Sequence, residues 1–181
     1  MTATDQLNSN GFVITNDIYT SGEVDNILQQ INQADSNNDM FRKSEDLFAI
    51  RRFLHEVPSV RYSIFNRKLR TILNELFTDG CFVVKSIYFD KPQASNWYVA
   101  YHQDLTISVN KKISLDGFNL WTTKYNQFSV QPPLPVLENV VTIRIHLDDT
   151  DENNGALKVI PGSHANGIYR PETIDCRGKR T

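Results

Sequence analysis

The chain has 181 residues, 40% of them hydrophobic, with 19 lysines and arginines against 21 aspartates and glutamates and a formal net charge of -2. That length suits one domain with a sizeable core, so residues 1–181 read as a single domain. The near balance of charge without a basic block leaves no footprint for nucleic acid or an anionic membrane surface, and apolar runs of only a handful of residues exclude a helical membrane span.

Residues 1–10 are polar and lack the basic and apolar regions of a secretory signal. Cys81 and Cys176 are far apart and outside any CxxC spacing. Both features fit a cytoplasmic chain with reduced thiols. Thr20-Ser21-Gly22-Glu23 has the form of a capping box, and Val24, Ile27, Leu28 and Ile31 follow at helical spacing. An amphipathic helix is expected from about residue 21 to 34, closed by the Asn/Asp/Ser cluster of residues 35–39. A second helix is expected over residues 45–54. A third is expected over residues 59–77, where Leu69, Ile72, Leu73 and Leu76 make an apolar stripe and Gly80 offers a stop.

After Gly80 the pattern changes to short β-branched or aromatic runs at residues 81–89, 97–102, 106–109, 140–147 and 156–160, separated by Asp, Asn, Gly and Pro. Helices in about residues 1–80 followed by strands in about residues 81–167 make an α+β chain, with the helices packed outside a sheet or barrel. Residues 110–137 are too many for a hairpin turn and are expected as a loop. Long loops at a barrel mouth commonly act as lids or substrate contacts.

The chemistry sits in Tyr101-His102-Gln103-Asp104. Side chains of an extended segment alternate, so His102 and Asp104 leave the same face and can converge on one ion. They make two thirds of the two-histidine, one-carboxylate set that holds non-heme Fe(II) on one octahedral face. A histidine and an aspartate two apart are a short pattern, and a hydrogen-bonded structural histidine is the plain alternative for His102. The surroundings add weight. The pair closes an aromatic segment with Trp97, Tyr98 and Tyr101, and a later strand ends in Asp148-Asp149 and turns through Asn153-Asn154-Gly155.

Three blocks together, Asn96-Trp97 leading to His102-Gln103-Asp104, the strand from Thr142 through Arg144 and His146 to Asp149, and Asn154-Gly155 through Pro161-Gly162-Ser163-His164, resemble the phytanoyl-CoA dioxygenase family of Fe(II)- and 2-oxoglutarate-dependent oxygenases. The similarity runs over about residues 49–167. The resemblance implies a double-stranded β-helix, the jelly-roll form of an antiparallel barrel, with iron at one mouth. His102 and Asp104 would be two iron ligands, 2-oxoglutarate the cosubstrate, and molecular oxygen and a small organic metabolite the other reactants. Halogenating relatives replace the carboxylate with a small residue, so Asp104 points to hydroxylation.

In that family the third ligand is a histidine on a late strand, followed by an arginine that grips the distal carboxylate of 2-oxoglutarate. Neither follows the Pro161–His164 block here, so the chain is expected to be incomplete at its C-terminus, with late strands missing, as a fragment or a decayed copy. His164, a turn residue rather than a ligand in the family pattern, and His146 are the substitutes to weigh. Arg144 shares a polar strand face with Thr142 and His146. Either that face lines the lumen and Arg144 grips a carboxylate of 2-oxoglutarate or substrate, or the face is solvated. Gln103 points away from its neighbours and supports the strand.

Two other readings stay open: a noncatalytic jelly-roll remnant or ligand-binding fragment, and a cupin-like metal enzyme that uses His102, Asp104 and His146 or His164 around another divalent ion. Substrate identity and oligomeric state are not legible. No coenzyme A motif is visible, so the family name does not carry an acyl-CoA substrate to this chain.

Overall fold

The structure is a computed structural model that describes residues 1–35, 37, 39–44, 47–90, 100–152 and 154–169. The parts of the motif at Asn96 and Trp97, Asn153 in the turn, and Cys176 lie outside the described residues.

The first helix, α1 (Ala3–Asn10), falls in the polar N-terminal stretch for which no element was expected. Thr2 and Asp5 form a reciprocal capping box that starts it, and Gly11, at φ 80°, ends it. It buries none of its own side chains, so it has no apolar stripe for a sequence reading to find. Helix α2 (Ser21–Asn32) is the expected amphipathic helix: Thr20 Oγ1 accepts from the Glu23 N–H while Glu23 Oε2 accepts from the Thr20 N–H. Its Ile27 and Ile31 are buried.

The expected helix over residues 45–54 is corrected. Residues Leu47–Arg51 are a strand, β2, lying between β1 (Phe41–Ser44) and β3 (Ile87–Asp90) in an antiparallel sheet of order β1-β2-β3. Only α3 (Phe53–Glu56) follows as helix. A central strand carries apolar side chains on both faces, and Ala49 and Ile50 are accordingly both buried. The alternation that marks a strand is then lost, and a short continuous apolar run reads equally well as helix.

The long helix expected over residues 59–77 is two helices, α4 (Val60–Ile64) and α5 (Arg67–Leu76). Asn66 makes the break. Its backbone is extended, its Oδ1 accepts from the Leu69 N–H at 2.9 Å as the cap of α5, and its Nδ2 donates to the Ile18 carbonyl at 2.9 Å and to Glu23 Oε1 at 3.1 Å. The carbonyl of Ile64, freed at the break, accepts from the Tyr19 hydroxyl at 2.7 Å. Packed beneath these hydrogen bonds is one apolar core, including Ile27, Ile31, Phe41, Ile50, Phe53, Val60, Ile64 and Leu69, with Ile145 and Leu147 resting against it from the later chain.

The second half holds another antiparallel sheet, order β4-β6-β5, from β4 (Ile107–Val109), β5 (Asn119–Lys124) and β6 (Gln127–Gln131). Two of these strands lie inside the stretch expected as a loop. Tyr125 and Asn126, at φ 51° and 57°, form a tight two-residue hairpin turn between them. That backbone is favoured in hairpins, but it is usually signalled by Asn-Gly or Asp-Gly, which this turn lacks. A short helix, α6 (Leu134–Leu137), follows.

Residues 81–86, 100–102, 140–147 and 156–160, all expected as strands, join no ladder among the described residues. Their composition fits extended backbone, but a strand also needs a paired neighbour, and none pairs with them among the described residues. The two sheets are therefore not closed into a barrel. Among the described residues Cys81 is a free, exposed thiol, and no helix is long and apolar enough to cross a membrane.

Candidate metal centre

His102 and Asp104 are both exposed, while Tyr101, Gln103 and Leu105 are each half-buried. This alternation is the expected one, and it leaves the imidazole and the carboxylate on one side of the segment. His102 Nδ1 lies 2.8 Å from the Ala100 carbonyl. A carbonyl only accepts, so in the neutral ring Nδ1 carries the hydrogen and Nε2 keeps its lone pair. Backbone-held imidazoles of this kind are common metal ligands. Asp104 has no hydrogen bond or ion pair among the described residues.

The other histidines are engaged elsewhere. His164 sits in a single 3-10 turn, Ser163–Asn166, that docks on the end of α1: its Nε2 lies 3.1 Å from the Asn8 carbonyl, and the Gly162 N–H donates to the Asn10 carbonyl at 2.8 Å. Its Nδ1 lies against Gly11, where an added Cβ would come within 2.4 Å. His164 thus closes the carbonyl end of a helix, a favourable place for a hydrogen-bond donor. His146 is exposed and pairs through Nδ1 with the Thr150 hydroxyl. Arg144 is exposed and donates through Nη2 to the Gly155 carbonyl at 3.1 Å, tying its segment to the Asn154-Gly155 turn.

An open cleft of about 320 Å³ adjoins Asp104. Leu105, Leu134, Leu137 and Ile168 give it apolar walls, and Asp104, Glu138 and His164 line it with polar groups. Leu134, Leu137 and Glu138 come from α6 and the residue that follows it, so the stretch between β4 and the Arg144 segment does reach the neighbourhood of the site. Neither α6 nor the docking of α1 has a motif that announces it.

Residues 7–177 match the phytanoyl-CoA dioxygenase (PhyH) family. The chain belongs to this family. No curated protein and no solved structure matches it. The family is one of oxygenases, and its implied metal can be tested against the donors present. His102 and Asp104 have the right chemistry, an imidazole nitrogen and a carboxylate that have no partner among the described residues. Among the described residues they are not joined by a third histidine, cysteine, aspartate or glutamate into a metal-holding group.

Proposed function

We propose that the chain is an Fe(II)- and 2-oxoglutarate-dependent dioxygenase that hydroxylates a small organic metabolite, with His102 and Asp104 as two of the metal ligands. The supporting observation is the state of the pair within a family of oxygenases. His102 Nδ1 faces the Ala100 carbonyl, and neither its Nε2 nor the Asp104 carboxylate has a partner among the described residues. Held at such a pair, Fe(II) would activate molecular oxygen, the oxidant of the hydroxylation, while 2-oxoglutarate would supply the other two electrons in becoming succinate and carbon dioxide. The protein's part is to hold and to exclude. The Ala100 carbonyl fixes the His102 ring. The apolar walls from Leu105, Leu134 and Leu137 would cover a substrate and keep water away. Arg144 has one guanidinium nitrogen on the Gly155 carbonyl, and its remaining N–H groups, without a partner among the described residues, could take a carboxylate of 2-oxoglutarate or substrate.

A second reading, a noncatalytic ligand-binding member of the family, is favoured by the lack of a three-donor group among the described residues. One experiment separates the two: anaerobic titration of the purified chain with Fe(II) and 2-oxoglutarate, followed by the metal-to-ligand charge-transfer band. The dioxygenase reading expects a saturable band that His102→Ala and Asp104→Ala each abolish. A folded wild-type chain with no band overturns it and leaves the noncatalytic reading.

A further inference from the structure

We propose that Gln103 is a positioning residue, which aims the His102–Asp104 pair by clamping its own side-chain amide onto the backbone of Gly167 and Tyr169. The inference rests on the reading of His102 and Asp104 as metal ligands. Gln103 Nε2 donates to the Gly167 carbonyl at 2.8 Å, and the Tyr169 N–H donates to Gln103 Oε1 at 2.8 Å. The partners lie 64 and 66 positions away in sequence, so this is a tertiary contact rather than a local turn.

A primary amide offers one donor and one acceptor side by side, as a peptide group does. The carbonyl of residue 167 and the N–H of residue 169 face Gln103 together, as alternate groups do along a strand edge. Residues 101–106 join no ladder among the described residues, so no strand pairing there sets their rotation about the chain axis. The Gln103 clamp supplies that constraint. With Gln103 pinned toward the molecule, its two neighbours are driven to the opposite side as a pair.

The clamp is anchored at its far end as well. The turn just before Gly167 is fastened to α1 through the Asn10 and Asn8 carbonyls, by the Gly162 N–H and His164 Nε2 respectively. Hydrogen bonds at both ends of the short backbone stretch 162–169 thus link the N-terminal helix to Gln103, the residue between the two metal-binding candidates. Replacing Gln103 by Leu or Met preserves bulk but leaves the Gly167 carbonyl and the Tyr169 N–H without their partner.

The test uses the full chain and Co(II), whose visible spectrum reports ligand geometry. In Gln103→Leu, amide hydrogen exchange at Tyr169 should accelerate at least tenfold, Co(II) affinity should fall by about tenfold to a hundredfold as for other residues that orient metal ligands, and the spectrum should change. Gln103→Met should behave alike and guards against a Leu variant that does not fold. Ile27→Ala, which weakens the distant core, should lower stability yet leave the Co(II) spectrum as it was. Unchanged exchange at Tyr169 overturns the clamp, and faster exchange with unchanged Co(II) affinity and spectrum overturns its positioning role. Co(II) binding lost in His102→Ala but intact in Gln103→Leu defeats this inference alone. A wild-type chain that binds no Co(II) defeats the metal reading itself and the inference with it.

Discussion

From Ile18 to Tyr88 the chain is held by packing: helices α2, α4 and α5 and the first sheet close over a shared apolar core in which Ile27, Ile50 and Val60 are fully buried. From Ala100 to Tyr169, outside the ladder of β4, β6 and β5, it is held mainly by single polar hooks, among them Gln103 on residues 167 and 169, His164 on Asn8, Arg144 on Gly155 and Asn154 on Asp149. Val130 and Pro132 are buried in that half, while Val141, Ile143, Leu157 and Val159 stay exposed. The division of labour follows. Apolar burial scales with area and supports stability, whereas directional hydrogen bonds set angles and suit a site. Mutations in the first half should move the folding free energy, and mutations in the second should move local geometry.

The strongest test of that division is Ile50→Ala. Its side chain is fully buried at the centre of the first sheet, so truncation should cost about 2–5 kcal/mol in urea-monitored unfolding. Leu157→Ala, at a residue 58% exposed in the other half, should change the same quantity by less than about 0.5 kcal/mol. Comparable losses at the two positions would break the contrast.

Next in size is Asn66→Ala. The substitution removes the cap of α5 and takes a donor from the Ile18 carbonyl, so about 1–3 kcal/mol is expected by the same measurement. Asn66→Ser should recover the cap, since its hydroxyl oxygen can accept from the Leu69 N–H, but it has no amide to donate to Ile18 and Glu23. A value midway between wild type and Ala would show that both roles count.

The same residue shows what a sequence conceals. The capping box at Thr20 was legible because its two halves lie three residues apart, and α2 formed as expected. Asn66 was read as part of a continuous helix, because the partners that favour a break there, Ile18 and Glu23, lie more than 40 positions away. The strand at residues 47–51 was hidden by burial on both faces. At the site, the exposure of His102 and Asp104 alternates with half-buried Tyr101, Gln103 and Leu105, as an extended segment would have it. Gln103 was legible as a supporting residue, but Gly167 and Tyr169 as its partners were not. The expected strands at residues 140–147 and 156–160 failed for a related reason: pattern reports which segments can extend, while a ladder depends on which segments meet.

A smaller effect should appear on the alkaline side. Burial, then the nearby Glu23 carboxylate, pushes the Tyr19 hydroxyl up to about 12 from an ordinary value of 10. Burial, followed by Asp90 and Asp148, also pushes Tyr88 to about 12. Both groups hold their protons more tightly folded than unfolded, so their contribution is complete below pH 10 and is lost as pH rises toward about 12. Urea midpoints measured across that window should fall, and Tyr19→Phe should flatten part of the decline while Tyr88 retains the rest. A wild-type midpoint that does not move there would mean that these hydroxyls are solvated and the packed half is looser than its geometry indicates.

A small effect on global stability, but the sharpest on the polar half, should come from Gly11→Ala. Gly11 stands at φ 80°, which an alanine adopts only at a cost of about 1 kcal/mol. The new Cβ would also press to 2.4 Å from His164 Nδ1, so the imidazole must leave the end of α1. Since α1 buries none of its own side chains, little packing is lost when it lets go, and the main unfolding transition should shift by no more than about 1 kcal/mol. Amide exchange should tell the two halves apart. Protection across α1 and at Gly162 should collapse, while Ile27 and Ile50 in the packed core keep theirs. If exchange at Tyr169 rises in the same variant, the brace from α1 through the His164 turn to Gln103 acts as one unit. If Tyr169 is unmoved, the Gln103 clamp stands without α1, and the polar half is a set of independent hooks rather than a connected frame.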